Sequence, residues 1–328
     1  MTLLANSAVL LLAHGTPDAL DEIPEYLLKV TGGRPLPPEA VEEIRHRYGL
    51  IGVSEHVIPN EVSPLTRWTL HQAAQLKQQL NIPVYAGMRN WKPFIADTLH
   101  QMRADGIKHC VAICLAPQNS RTSVGLYRKA VMANADGIDV EFISDWAEHP
   151  KLIAAFAQQL TPTLAAARKA ASSENIPVLF TAHSVPARTV QPTPDSPGDT
   201  YEHEARATAA LVATTAGITE NIWRFAFQSQ GMSGGPWLGP TVEETLAAIR
   251  AEGHTHVILQ PIGFLCDHVE ILYDVDIAFA QTAASLGLKL LRPMSLNGSP
   301  LLTEALADLA LAGFERADFS RHTSAHTQ

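Results

Sequence analysis

The 328-residue sequence predicts an α/β fold of two similar halves, each a parallel β-sheet flanked by helices, with a cleft between the halves. Three observations lead there. Short apolar runs alternate with longer segments of helical periodicity, which is the signature of parallel sheets covered by helices. The runs are continuously apolar rather than alternating, as expected of strands buried on both faces. A segment near the N-terminus recurs far along the chain, which suggests two related halves.

Strands are expected at 8–13, 83–87, 110–115, 139–143, 177–181, 222–227, 256–261 and 288–292. Between them, 63–80, 93–104, 150–170, 200–216, 241–252 and 269–286 carry apolar residues at helical spacing. The recurrence is VLLLAHGTP (9–17) against VLFTAHSVP (178–186), with Val, Leu, Ala, His and Pro in matching places and His14 and His183 169 residues apart. VAICLAP (111–117) and VILQPIG (257–263) form a second pair of runs. The small, polar stretch AAARKAASSEN marks a boundary, giving halves at 1–168 and 169–316. The tail 317–328 has no apolar period and is expected to be flexible, with His322 and His326 in it.

Composition narrows the partners. The net charge is −9 with no run of Lys or Arg, so the concentrated basic face that tracks a phosphate backbone is missing and nucleic acid is not expected. Cys110, Cys114 and Cys266 are too scattered for a disulfide framework and too few for a four-cysteine iron–sulfur site. A reduced, cytoplasmic protein is expected. The first apolar run lacks a basic segment before it and is closed by His14-Gly15, so it reads as a strand rather than a signal peptide. No apolar segment approaches the ~20 residues that a membrane-spanning helix needs.

Chemistry-bearing residues gather in three places. His14 and His183 each follow a buried strand and precede a turn containing Pro, and in open α/β sheets ligands bind beyond the carboxyl ends of strands. Either ring alone fits a histidine bonded to a loop carbonyl; the pair, related by the recurrence, favours function. PIGFLCDHVEILYDVD (261–276) gathers Asp267, His268, Glu270, Tyr273, Asp274 and Asp276 directly after a strand. Glu270 and Asp274 are spaced to share a helix face, and a carboxylate in a cleft can ligate a divalent cation or accept a proton. Asp267-x-x-Glu270 also fits a capping box, in which Glu270 satisfies only backbone donors. Cys266 reads as a packed side chain. In FQSQGMSGGPWLGPTVEETL (227–246), Trp237 sits in a Gly/Pro loop and either stacks on a flat aromatic ligand or anchors the loop. No GxGxxG, Walker, GxSxG or HExxH pattern is present.

FTAHSVP with GDTY downstream (180–201), FQSQG…PWLGP (227–240) and PIGFLCDHVEILYD (261–274) together resemble the ferrochelatase family, whose members insert iron into porphyrins during haem biosynthesis. The likeness runs from LLAHGTP to LRPMSLNGSP and is nearest the soluble, Gram-positive-type enzymes that use coproporphyrin III. It implies a chelatase-like, doubly wound fold and a lyase that places Fe2+ in a porphyrin, coproporphyrin III favoured over protoporphyrin IX. It also implies a cytoplasmic monomer with no cofactor beyond the substrate iron and no iron–sulfur cluster. His183 and Glu270 match the metal-insertion pair, and Asp274 continues the acidic line along the helix. Tyr127 and Trp237 match residues lining the macrocycle pocket. Ser63, Arg47 and Ser123 match positions near bound propionates, and Arg89 joins the substrate-binding set. An ordinary imidazole titrates near ~6.5, so a histidine at 183 suits removal of a pyrrole proton at neutral pH.

The sequence departs from the family at several points. His14 stands at a tyrosine-type position, in AHGT rather than AYGT, and becomes a candidate metal ligand. Asn90 stands where His is frequent, Thr31-Gly32 where two arginines are expected, and the loop 53–62 is longer than in related enzymes. An imidazole from each half also suits a chelatase for another metal or tetrapyrrole, such as cobalt. A non-catalytic haem or porphyrin carrier on the same scaffold would bind tightly without turnover.

Overall fold

Among the described residues, each expected apolar run becomes a strand, its ends moving by a residue or two. The chain begins with β1 (Ser7–Ala13), a 3-10 turn at Leu20–Glu22, α1 (Ile23–Val30), α2 (Pro38–Leu50) and α3 (Pro64–Leu80). It continues with β2 (Val84–Met88), α4 (Ile95–Ala104), β3 (His109–Cys114), α5 (Val124–Met132) and β4 (Asp139–Ile143). After α6 (Pro150–Ala171) come β5 (Val178–His183), α7 (Ala187–Val190), α8 (Tyr201–Thr215), β6 (Trp223–Gln228) and α9 (Val242–Ala251). The last stretch holds β7 (His256–Pro261), α10 (Val269–Leu272), a π-helical turn at Asp274–Phe279, α11 (Ala280–Ser285), β8 (Lys289–Leu291) and α12 (Pro300–Ala325). The computed structural model describes residues 6–192, 198–231 and 235–325, with side chains described as far as Ala317. Residues 193–197 before GDTY, Met232–Gly234 before Trp237, the His322 side chain and His326 lie outside that set.

Two four-stranded sheets form, ordered β2-β1-β3-β4 and β6-β5-β7-β8, with every pair parallel. The order is the same in both, so the recurrence seen in sequence is a recurrence of topology: β1 and β5 hold equivalent inner positions. From each of them the chain runs outward to one neighbour and then crosses back to the other side. The carboxyl ends of β1/β3 and of β5/β7 are therefore switch points, where flanking connections leave in opposite directions and ligands bind in α/β sheets. Every residue of β1 is buried, as a strand covered on both faces must be. Leu10, Leu12, Leu99, Met102 and Val131 pack on one face of the first sheet, and Leu179, Leu246, Leu259, Ile271 and Val275 on one face of the second. Each such side chain contributes roughly 1.5–3 kcal/mol on burial.

The chain divides into two compact units, one of Met1–Ala116, Ser123–Asp145 and Gly298–Gln328, the other of Pro117–Thr122 and Trp146–Asn297. This differs from the expected division at 1–168 and 169–316. AAARKAASSEN is not a linker: Ala, Arg and Lys are good helix formers, and α6 runs through the stretch until Ser172 turns left-handed at φ 49°. That helix packs with α8 and β7, where Gln260 donates to the Phe156 carbonyl at 3.0 Å. Conversely, α12 packs on α3, β3 and β4 of the first unit, and Arg316 pairs with Glu141 at 2.8 Å. The α12 backbone continues to Ala325, past the point where loss of an apolar period predicted a tail; backbone hydrogen bonding needs no apolar stripe. The helix expected over 269–286 is interrupted by the π turn, in which the Ile277 and Ala278 N–H groups, at 3.0 and 2.9 Å, share the Tyr273 carbonyl. Such turns are frequent at functional sites.

The turn after β1 depends on glycine. Gly15 has φ +80°, and a Cβ there would stand 2.7 Å from the Trp91 nitrogen and 2.9 Å from Met88 Cβ. Gly106 has the same φ of +80° with nothing within 4 Å of the added carbon. Gly15→Ala should lower the urea-derived stability by more than the ~1–3 kcal/mol of a strained backbone position, and Gly106→Ala by no more than that. Equal losses would assign the whole effect to backbone conformation and none to the close approach.

Candidate active site

In the second unit, β5 ends on His183, and the turn after neighbouring β7 leads to Glu270. His183 Nδ1 donates to the Ser184 carbonyl, which can only accept; in the neutral ring Nε2 then carries the lone pair. That Nε2 faces Glu270 Oε1 at 3.6 Å. The other carboxylate oxygen, Oε2, lies 3.6 Å from His268 Nε2, and His268 Nδ1 donates to the Cys266 carbonyl at 2.9 Å. Glu270 thus stands between two imidazoles, one at each oxygen. Phe264 packs edge-to-face against both rings, with centroids 6.4 Å from His183 and 4.6 Å from His268.

The capping box that the spacing also allowed does not form. His268 occupies the N-cap position of α10 and makes no side-chain cap. Asp267 instead accepts from Ser295 Oγ at 2.7 Å and Asn297 Nδ2 at 2.9 Å, and pairs with Arg292 at 3.4 Å. Arg292 also grips both oxygens of Asp276, at 2.5 and 2.8 Å. The cluster of acids read from the sequence therefore sorts in two. Asp267 and Asp276 tie the turn to the segment after β8, while Glu270 and Asp274 face the histidine end. Asp274 accepts from the Ser229 hydroxyl, and Ser229 reaches it from a left-handed backbone at φ 60°.

A buried polar frame holds the pair by its main chain. The Tyr201 hydroxyl, from the GDTY motif, donates to the His183 carbonyl at 2.7 Å. Burial, reinforced by the charges of Glu270 and Asp199, raises the Tyr201 phenol far above its ordinary range, so it remains a donor. Gln228 Nε2 donates to the Glu270 carbonyl at 3.0 Å, and its Oε1 accepts from Thr181 at 2.6 Å. His268, Tyr201, Gln228 and Ser229 were not among the residues assigned roles from sequence; GDTY and FQSQ were visible as motifs, but their partners are set by the fold. Burial pushes the Cys266 thiol up to about 12, which keeps it protonated and packed. Trp237 bridges to Pro186, just beyond His183, and its ring lies so close to Gly231 that a Cβ there would be 2.7 Å from it. It is half-buried and lies beside the histidine end.

The first unit gathers a second group at the end of β1. His14 Nε2 lies 3.1 Å from the Tyr26 hydroxyl, and the Asn90 carboxamide nitrogen lies 3.0 and 3.3 Å from the two ring nitrogens. Next to Asn90, the Arg89 guanidinium sits 5.7 Å from the centre of the Tyr127 ring, with its buried Nε lacking an acceptor. Burial raises the Tyr127 phenol strongly, only partly offset by Arg89, so it stays protonated. Ser63 is buried, and its hydroxyl is occupied by Thr16 Oγ1 at 2.7 Å and Thr66 Oγ1 at 2.9 Å. Ser123 directly precedes α5 and receives the Leu126 and Tyr127 N–H groups on its carbonyl at 3.0 and 3.1 Å. Arg47, near the end of α2, pairs with Glu43 at 2.9 Å. Among the described residues, no helix is long and apolar enough to cross a membrane.

Two parallel sheets of this order, with helices packed on them and an imidazole–carboxylate pair beyond one switch point, make a doubly wound α/β protein. The fold matches SirB of Bacillus subtilis solved with Fe3+, at a TM-score of 0.58 and 10% identity, over 95% of this chain and 97% of that one. The family model for ferrochelatase matches residues 6–313. The ferrochelatase of Acidobacterium capsulatum is 56% identical over 96% of this chain and 97% of its own, and the coproporphyrin III ferrochelatase of Geobacillus kaustophilus 33% identical over 93% and 95%. The chain belongs to the ferrochelatase family: it is a lyase of haem biosynthesis that inserts ferrous iron into a porphyrin.

The environment of His268 makes stability depend on pH. Burial lowers its proton affinity, but the Glu270 carboxylate and the Cys266 carbonyl outweigh burial, and the ring titrates above the ordinary 6.5. The folded protein therefore holds this proton more tightly than the unfolded chain. The stabilisation is complete below about pH 6.5 and is lost as pH rises through the folded-state value. The stability gap between wild type and His268→Gln, from urea denaturation, should be larger at pH 6 than at pH 8.5. A gap that grows with pH would reverse the sign of the interaction.

Proposed function

We propose that the chain inserts Fe2+ into coproporphyrin III, using His183 as the base and Glu270 at the metal. The observation that carries the reading is the Nε2 of His183, at the end of β5, 3.6 Å from Oε1 of Glu270 in α10. Two pyrrole protons must leave for each Fe2+ that enters, so the reaction needs a base and a route for protons. Nε2 of His183 takes a proton from the ring, and the Glu270 carboxylate beside it compensates the charge of the imidazolium formed. Glu270 helps hold the incoming iron and hands protons on towards Asp274 and water. His14 offers a ring nitrogen to the metal.

Tyr127 and Trp237 line the macrocycle in this reading. For the propionates, Arg89 is the stronger candidate, because its guanidinium is held over an aromatic ring with one donor unused. Ser123 and Arg47 contribute beside it, whereas Ser63, with its hydroxyl already engaged, shapes the turn that enters α3. Iron comes as substrate, and no iron–sulfur cluster is part of this reading, because three cysteines fall short of a four-cysteine site. The enzyme works as a cytoplasmic monomer. Similarity to the Geobacillus enzyme named for coproporphyrin III supports that substrate.

Anaerobic iron insertion, with coproporphyrin III and protoporphyrin IX compared side by side, tests the reading. The first should give the higher kcat/KM; a preference for the second would replace the substrate but keep the chemistry. His183→Ala should lower kcat by about 10²–10⁴-fold, the range for loss of a general base, with the fold intact by circular dichroism. Near-normal turnover in that variant would remove His183 as the base. Glu270→Gln, which keeps shape but not charge, should also lose most of its turnover.

A further inference from the structure

Within the second unit, the GDTY motif attaches to the chain in two directions. Gly198 opens it at φ +98°, and a Cβ there would stand 2.8 Å from the Val190 carbonyl. Asp199 follows, and each oxygen of its carboxylate accepts a main-chain N–H, from Tyr201 at 3.2 Å and from Arg121 at 2.7 Å. The Tyr201 hydroxyl then holds the His183 carbonyl. The segment that Asp199 reaches, Pro117–Thr122, follows β3 in sequence but belongs to the second unit; the chain resumes the first unit at Ser123.

Other groups hold the same segment. Gln118 is 2% exposed, and its Nε2 donates to Thr208 Oγ1 and to the Ile262 carbonyl, both at 3.2 Å. Thr208 shares its own hydrogen between the Ala147 and Glu204 carbonyls, at 2.9 Å each, so it accepts from Gln118. The Asn119 N–H donates to Glu204 Oε2 at 2.7 Å, and the Pro117 carbonyl accepts from the Trp146 N–H at 3.1 Å. Ile262 directly follows β7, so the segment is tied to the strand end that leads to Glu270.

These partners dictate residue type. Two donors meet the two oxygens of Asp199, and an Asn there would turn its NH2 towards one of them. Two acceptors meet the Nε2 of Gln118, and a Glu there would turn an oxygen towards the Ile262 carbonyl. A turn that merely joined β3 to α5 would need neither side chain.

We propose that Asp199 and Gln118 are positioning residues for the porphyrin: they anchor Pro117–Thr122 in the second unit and so fix the point from which Ser123 and α5 start. One motif then serves two tasks, with Tyr201 holding the main chain of the base and Asp199 the approach to Ser123 and Tyr127. The porphyrin half of this inference rests on the roles given to Ser123 and Tyr127 above; the anchoring half does not.

Hydrogen exchange read by mass spectrometry on the metal-free protein tests the anchor without reference to activity. Asp199→Asn and Gln118→Glu should each speed exchange across 119–127. If neither does, the anchor is overturned. In insertion assays, Asp199→Asn should raise the KM for porphyrin about tenfold, with kcat and the KM for iron within about twofold of wild type. Tyr201→Phe should do the opposite, lowering kcat and leaving the porphyrin KM unchanged. A fall in kcat for Asp199→Asn at an unaltered porphyrin KM would overturn the inference, since a merely structural fault reduces the active fraction without touching KM. Should Ser123→Ala and Tyr127→Leu both keep the wild-type porphyrin KM, the macrocycle roles of those two residues would fall, while the anchor would still be decided by the exchange across 119–127.

Discussion

One carboxylate shared by two imidazoles organises the second unit. A half-buried Glu270 must be compensated for the water it gives up; the His268 ring, whose proton affinity Glu270 raises, does so at one oxygen, and His183 Nε2 lies at the other. For that arrangement the ends of β5 and β7 must lie close. The ladder continues past the strands, with Ile262 N–H on the Thr181 carbonyl at 2.8 Å. Gly263 presses on Ala182 so tightly that a Cβ would stand 3.1 Å from the alanine's own. Tyr201 and Gln228 then bind the carbonyls of His183 and Glu270, so the main chain that bears the pair is held independently of the pair's own charge.

The neighbouring acids are kept from competing. Four carboxylates crowd 267–276, and like charges so near would contest any proton or metal brought among them. Arg292 removes two of them, gripping Asp276 with a bidentate fork and pairing with Asp267, and stays charged because these partners outweigh its burial. Asp274 is steered by the Ser229 hydroxyl. The wide π turn begins at Asp274, directly after the short helix that bears Glu270.

What could be read in advance follows from the range of the signal. Continuous apolar runs report burial locally, so the strands and the repeated β1/β5 position were legible in residues 9–17 and 178–186. That His183 and Glu270 meet was legible because motif and resemblance agreed, although spacing alone also allowed a capping box. Deciding between the two needed Ser295 and Asn297, far along the chain, which occupy Asp267. The exchange of α6 and α12 between units was illegible for a similar reason: an Ala-rich helix looks alike whichever sheet it covers. Ser63 shows what pattern alone does not carry: its position matched, but the Thr16 and Thr66 hydroxyls it meets are set by the fold.

The internal repeat places a histidine at the same point of two sheets, and the neighbours of each ring then give it a different chemistry. Beside His183 stand a carbonyl that fixes Nδ1 as the donor and a carboxylate that compensates the positive charge a proton would bring to Nε2. Those partners suit a base. Beside His14 stand the Asn90 carboxamide and the Tyr26 phenol, both neutral groups. One strand–turn design thus sets its histidine beside a carboxylate in one unit and beside an amide and a phenol in the other.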